Sequence, residues 1–198
     1  MDRRLVLGLR ELHRLLSVAA LESKIPLRFA LVGGLAVATW GAVRATQDID
    51  FLADSDPSPL KELRLRDRLK KYIEQQGGRA EWLVGGHDDP IPLLLRIGFS
   101  PNQGTVAADI LWAHKRWQRD ALQRAIAVDV AGDQVPVLHP EDLILMKLEA
   151  GGPQDLLDVQ ELLSASPPQL DVTRLKDSAR RLRLGRVLDE CLRAARKR

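Results

Sequence analysis

Leu31-Val32-Gly33-Gly34-Leu35-Ala36-Val37-Ala38-Thr39-Trp40-Gly41-Ala42-Val43-Arg44-Ala45-Thr46-Gln47-Asp48-Ile49-Asp50-Phe51-Leu52 is the stretch on which the fold turns. Leu27–Val32 is a short apolar run that predicts a strand. Gly33-Gly34 predicts a tight turn, Leu35–Trp40 a compact helix and Asp48–Leu52 a second strand. Residues two apart on a strand share a face, so Asp48 and Asp50 point one way while Ile49 and Phe51 point into a core. Two anions held this close repel, and one takes a proton unless a cation sits between them. A hard divalent ion, Mg²⁺ or in its place Mn²⁺, suits a ligand set made only of oxygen. An isolated Asp-x-Asp also occurs as a turn cap beside a solvated carboxylate, so its neighbours carry the weight.

Three neighbours bear on it. Gly33-Gly34 lies between strand and helix, where glycine admits a ligand close to the backbone and the helix start offers free N–H groups to a phosphate. Arg44 and Thr46 stand just ahead of Asp48, able to hold phosphate oxygens or to brace the carboxylates. Asp109 interrupts the apolar run Val106-Ala107-Ala108-Asp109-Ile110-Leu111-Trp112. Buried and unpaired it would cost several kcal/mol, so it is expected to face a polar site or a metal. A third carboxylate on a neighbouring strand is what a two-metal phosphoryl-transfer centre needs.

Outward from this stretch the chain has a mixed first part and a helical second part. Residues 2–22 predict a helix, with Leu5, Leu9, Leu12, Leu16 and Ala19 on one stripe. Leu60–Gln76 predicts a charged helix with Leu60, Leu63, Leu69 and Ile73 inward, stopped by Gly77-Gly78. Strands are expected at Ala80–Val84, Leu93–Phe99, Thr105–Trp112, Ile126–Val130 and Gln134–Leu138, with a short helix around Lys115–Arg124. Helices follow at Glu141–Ala150, Asp155–Ser164, Val172–Arg183 and Arg186–Lys197. The expected fold class is α/β (α+β): a mixed sheet flanked by helices over residues 1–138, then a helical bundle over 139–198.

With 198 residues, 45% of them hydrophobic, a chain buries roughly 70% of its unfolded surface and needs no disulfide staple. Its single cysteine, Cys191, excludes an intrachain disulfide or a multi-cysteine metal cluster. No apolar run reaches membrane-spanning length and the N-terminus does not have the pattern of a signal peptide, so a cytoplasmic protein without membrane contact is expected. The net charge of +3 is unevenly placed: residues 174–198 hold ten Lys/Arg and three Asp/Glu. Such a basic tail attracts polyanions without specifying one, or is simply a solvated helix face.

Gly33-Gly34, Arg44-x-Thr46-x-Asp48-Ile49-Asp50-Phe51 and the strand Asp109 together resemble the polymerase-β-type nucleotidyltransferase superfamily. More narrowly they resemble its AbiEii-like branch, which includes toxins of type IV toxin–antitoxin systems. Val137-Leu138-His139-Pro140-Glu141-Asp142 through Lys147 to Asp155 and Asp158 is similar to that branch's helical motifs, and the likeness covers roughly residues 27–164. It implies an enzyme that attaches a nucleoside monophosphate from a nucleoside triphosphate to an acceptor hydroxyl. Asp48 and Asp50 would hold the metal, and Asp109 would complete that site or help deprotonate the acceptor. Gly33 and Gly34 would meet the triphosphate with Arg44 and Thr46 beside them. Lys147 would reach a phosphate, and Asp155 would orient it or act at the acceptor. Related toxins often carry basic residues before that last Asp, where this chain has Gly151-Gly152-Pro153-Gln154. The implied partners are the triphosphate, an RNA (tRNA) or protein acceptor, and a cognate antitoxin.

Other readings remain open: a small-molecule (antibiotic) nucleotidyltransferase, a catalytically inactive nucleotide-binding regulator, and a nucleic-acid-binding protein using residues 174–198. The last leaves the three Asp without a purpose. His87-Asp88-Asp89 reads as a solvated turn and His139 as a structural helix start. His114 stands five residues beyond Asp109 on an undetermined side. Trp40, Trp82, Trp112 and Trp117 read as core or rim, with Trp112 the candidate for base stacking.

Overall fold

The computed structural model describes residues 2–42, 45–55, 58–86, 89–100 and 106–196. The chain begins with helix α1 (Arg3–Ser23), strand β1 (Leu27–Val32), the short helix α2 (Gly33–Thr39), β2 (Asp48–Ser55) and α3 (Pro59–Gln75). Strands β3 (Arg79–Val84), β4 (Leu93–Phe99) and β5 (Val106–Trp112) follow, then α4 (Arg116–Gln123), β6 (Ile126–Val130) and β7 (Asp133–Val137). Four helices complete it: α5 (Pro140–Ala150), α6 (Pro153–Ala165), α7 (Val172–Arg181) and α8 (Gly185–Ala195). One seven-stranded sheet runs in the order β3-β4-β5-β2-β1-β7-β6. Its β2–β5 and β1–β7 neighbours are parallel and the rest antiparallel.

The two faces of the sheet are treated differently. Helix α1 starts where Asp2 accepts a hydrogen bond from the Arg4 amide at 2.9 Å, and its stripe Leu5, Leu9, Leu12, Leu16 and Ala19 is buried. It lies so close to β2 and β5 that a Cβ on Gly8 would stand 2.9 Å from Val106 and 3.0 Å from Ile49. Helix α3 packs beside it through Leu65, Leu69 and Ile73. This face buries Ile49, Phe51, Leu95, Ile97, Val106, Ala108 and Ile110. On the opposite face α2 and α4 cover β1 and β2, and α5 and α6 touch α2. Beyond them, Arg96, Gly98, Ala107, Asp109 and Leu111 keep some exposure. No helix among the described residues is long and apolar enough to cross a membrane.

Three expectations change. Gly33 and Gly34 form the first turn of α2 rather than a separate turn. Strand β2 continues to Ser55 because it is central, lying between β1 and β5. There the buried Asp54 is met by Arg28 at 2.7 Å and Arg119 at 3.2 Å, which binds β1, β2 and α4 together. Leu60 and Leu63 are exposed, at 72% and 52%, instead of inward. The buried stripe of α3 runs every fourth residue from Leu65, and Leu63, about 200° away on the helical wheel, faces solvent.

Candidate active site

The parallel pairing of β2 and β5 sets Asp50 directly opposite Asp109. Asp48, two residues earlier on β2, shares that face. The three acids thus occupy one face of two adjacent strands, the face not covered by α1. Asp48 is exposed, Asp50 is half-buried, and the Asp109 side chain keeps 22% of its exposure. Arg96 of β4 grips both Asp109 oxygens, Nε at 3.1 Å and a terminal nitrogen at 2.9 Å. Those hydrogen bonds first, then the charges of Asp109, Asp48 and Glu81, push the Arg96 guanidinium pKa up.

Gly33 brings the backbone against this cluster. Its φ is +63°, and a Cβ there would stand 1.9 Å from Asp50 Oδ2, so both conformation and space demand glycine. Gly34 is buried within α2, and of the pair only Gly33 lines the cleft below Asp50. Thr46 donates a long hydrogen bond of 3.4 Å to the Asp48 carbonyl. It lines one hollow with Leu35 and Ala38 and a neighbouring one together with Asp48, and its observed contact braces Asp48. Arg44 lies outside the described residues.

The cleft, about 210 Å³, runs from Gly33, Asp50 and Leu111 on the sheet to Met146 and Lys147 on α5 and Asp155 on α6. Across one end Lys115, the residue that precedes α4, pairs with Glu149 of α5 at 2.9 Å. Lys147 does not point freely into the cleft. Its Nζ lies 2.7 Å from Asp155 and 2.9 Å from Asp158, and its side chain is 13% exposed. An ammonium has three N–H donors, and these carboxylates take two. Asp158 is fully buried and also accepts the Gln154 side-chain amide at 3.0 Å.

The Gly151-Gly152-Pro153-Gln154 segment therefore has a local purpose. Gly151, with φ +67°, ends α5 in a left-handed cap and Pro153 opens α6. The tight turn sets Asp155 and Asp158 beside Lys147. Glu141 and Asp142 in the neighbouring motif are buried anchors. Glu141 contacts the His139 ring and accepts the Asp171 amide at 3.0 Å, while Asp142 pairs with Arg124 at 2.6 Å. His139 is thus structural.

Two site neighbours carried no role in the sequence reading, Arg96 and Asp158. Arg96 is the lone charge in the apolar strand Leu93–Phe99, just as Asp109 is in its own. A hairpin pairing of these two runs would have put them together. Trp112, an odd number of residues from Asp109, falls on the opposite face, buried at 4% and edge-on to Trp82, so it cannot stack at the site. The His114 amide donates to Gln118, and its ring is exposed. Asp89 accepts the Gly86 amide at 2.7 Å in the expected turn, while His87 and Asp88 lie outside the described residues. Cys191 is buried, and that burial pushes its thiol pKa up, away from nucleophile behaviour.

Among the described residues no three His, Cys, Asp or Glu side chains are gathered closely enough to hold an ion. The donor chemistry nevertheless fits a hard divalent cation, because three carboxylates share one face with Asp50 and Asp109 side by side; holding one would need Asp109 to leave Arg96 and the three side chains to draw together.

A family model described as nucleotidyl transferase AbiEii toxin, type IV toxin–antitoxin system, matches residues 14–187. No curated protein matches the chain. Among solved structures, ANT(2")-Ia in complex with adenylyl-2"-tobramycin is 18% identical, with 87% of this chain and 97% of that one covered and a TM-score of 0.51. The solution structure of the antibiotic-resistance factor ANT(2'')-Ia is 15% identical over 89% and 93% of the two chains, with a TM-score of 0.50. A nucleotidyltransferase-like protein from Paracoccidioides brasiliensis is 16% identical over 91% and 92%, with a TM-score of 0.47. At these identities the likeness is one of fold. With its mixed sheet, its face of three acids and a family match across most of its length, the chain is a nucleotidyltransferase and belongs to the AbiEii family of type IV toxins.

Proposed function

We propose that the protein uses Mg²⁺, or Mn²⁺ in its place, to move a nucleoside monophosphate from a nucleoside triphosphate to a hydroxyl of an RNA such as tRNA, or of a protein, as a toxin restrained by its antitoxin. The observation that carries this reading is the pairing of Asp50 with Asp109, Asp48 on the same face, at the mouth of a cleft whose far wall holds Lys147. The acceptor oxygen attacks the α-phosphorus. A new P–O bond forms as the bond to the bridging oxygen breaks, and pyrophosphate leaves with the bonding pair.

Asp48 and Asp50 would hold the divalent cation with Asp109. When bound, the ion supplies charge stabilisation at the phosphate oxygens and acidifies the acceptor hydroxyl. Gly33, having no Cβ, leaves the Asp50 carboxylate its place against the backbone at the start of α2, where the triphosphate would be met. Lys147 offers its remaining donor across the cleft, held in direction by Asp155. The acceptor proton would pass to a carboxylate on this face, with Asp109 as the candidate if it does not complete the metal site. Exposed Arg180, Arg181 and Arg183, at and beyond the end of α7, would supply salt-sensitive attraction for an RNA acceptor.

The test is incubation with each α-labelled nucleoside triphosphate, Mg²⁺ and separately total RNA, total protein or an aminoglycoside. Label in RNA or protein that disappears with chelation and in Asp50→Asn supports the reading. Label only in the aminoglycoside supports the small-molecule alternative. No label from any triphosphate in any fraction overturns both.

A further inference from the structure

We propose that Arg96 is the resident counter-ion of Asp109: a divalent cation must displace it from that carboxylate, and Glu81 receives it when it leaves. The proposal rests on the metal-dependent reading above and extends it to what sets metal affinity. The strand registers pair Glu81 with Arg96, Arg96 with Asp109, and Asp109 with Asp50. A single cross-strand row therefore runs Glu81–Arg96–Asp109–Asp50 over β3, β4, β5 and β2. Residues directly opposite on neighbouring strands have Cβ atoms about 5 Å apart. The guanidinium thus stands between two carboxylates, one on each side, within reach of either.

Its present position follows from charge. On the Asp109 side lie three acids, Asp109, Asp50 and Asp48, and on the other side Glu81. Arg96 sits on the Asp109 side and makes two hydrogen bonds there, at 3.1 and 2.9 Å. A divalent cation among the three acids offsets two of their three charges, competes for the Asp109 oxygens that Arg96 holds, and repels the guanidinium at close range. The side chain is free to move. It is 60% exposed, and on the same face of β4 nothing lies within 4 Å of where a Cβ on Gly98 would stand. Arg96 has two arrangements, one closing the acids in the metal-free protein and one opening them, and the cation selects between them.

The experiment is Mn²⁺ titration of the full chain, without nucleotide, followed by electron paramagnetic resonance. The variants are Arg96→Met, which keeps the apolar stem, Glu81→Gln, and the two together. Arg96→Met should bind Mn²⁺ about three- to tenfold more tightly, the scale of a partly exposed bidentate ion pair. Glu81→Gln should bind about twofold more weakly, because the departing guanidinium loses its receiving partner. Added to Arg96→Met, Glu81→Gln should change nothing further. Unaltered affinity in Arg96→Met overturns the proposal. Equal weakening by Glu81→Gln with and without Arg96 also overturns it, since Glu81 would then act only as a distant charge. If Asp50→Asn leaves Mn²⁺ affinity unchanged, these acids hold no cation and the underlying metal reading falls with it.

Discussion

The two walls of the cleft hold their charges in opposite ways. On the sheet side Asp50 lines the cleft and shares its strand face with Asp48 and Asp109, all three sit partly in water, and Asp109 is tied to a mostly exposed arginine. On the helical wall Lys147 is sunk between Asp155 and a fully buried Asp158. The first arrangement is easily re-partnered, because solvent screens the pair and its members move without unpacking. The second is not, because removing one member strands a buried charge. One wall is adaptable and the other is preorganised, and substitutions should separate them by whether activity or folding suffers.

The largest effect should come from the adaptable wall. Asp50→Asn is expected to lower nucleotide transfer by about three orders of magnitude, on the scale of losing a principal electrostatic element of a phosphoryl-transfer site. Its urea denaturation midpoint should stay near that of the unsubstituted protein, because Asn keeps the size of the half-buried side chain and an accepting oxygen. A large loss of stability would break the contrast.

The preorganised wall should respond in folding. Asp158→Ala leaves Lys147 with one partner in a buried setting and should cost roughly 3–5 kcal/mol in chemical denaturation. Adding Lys147→Met should recover much of that stability while transfer stays low. Stability that does not recover would show that Asp158 acts through Gln154 rather than Lys147.

Gly33→Ala lies where the walls meet. A Cβ at 1.9 Å from Asp50 Oδ2, on a residue with φ +63°, should cost about 1–3 kcal/mol of stability by strain. It should also displace Asp50, so transfer should fall further than stability alone predicts. The smallest effect is expected from Thr46→Val, which loses one exposed 3.4 Å hydrogen bond. Stability should change by no more than about 0.5 kcal/mol, with transfer near normal. A hundredfold loss of nucleotide affinity would restore Thr46 to the phosphate-binding role that its sequence position suggested.

Much of the adaptable wall was legible before any coordinates. Asp48 and Asp50 share a face by the two-residue period of a strand, and Asp109 stands out as a charge in an apolar run. The stripe Leu5, Leu9, Leu12, Leu16 and Ala19 and the helical second part were equally plain. Of the preorganised wall, the resemblance named Lys147 and Asp155, which lie 2.7 Å apart, but not Asp158 as their partner. The stretch from Lys147 to Asp158 contains all its participants, yet the two acids meet Lys147 only because a left-handed cap at Gly151 folds α6 back on α5. Leu60 and Leu63 misled because, near a helix start, apolar residues fit a stripe that lacks a neighbour to bury it.

By itself the sequence determined which strand residues share a face, since the strand period depends on nearest neighbours in the chain. The tertiary structure decided the pairings: Asp109 with Arg96, Asp50 beside Asp109, Lys147 with Asp158, Trp112 away from the site. Strand order, register and helix docking are set by burying the whole apolar face of the sheet at once, and the sign of a neighbouring charge follows from that collective packing.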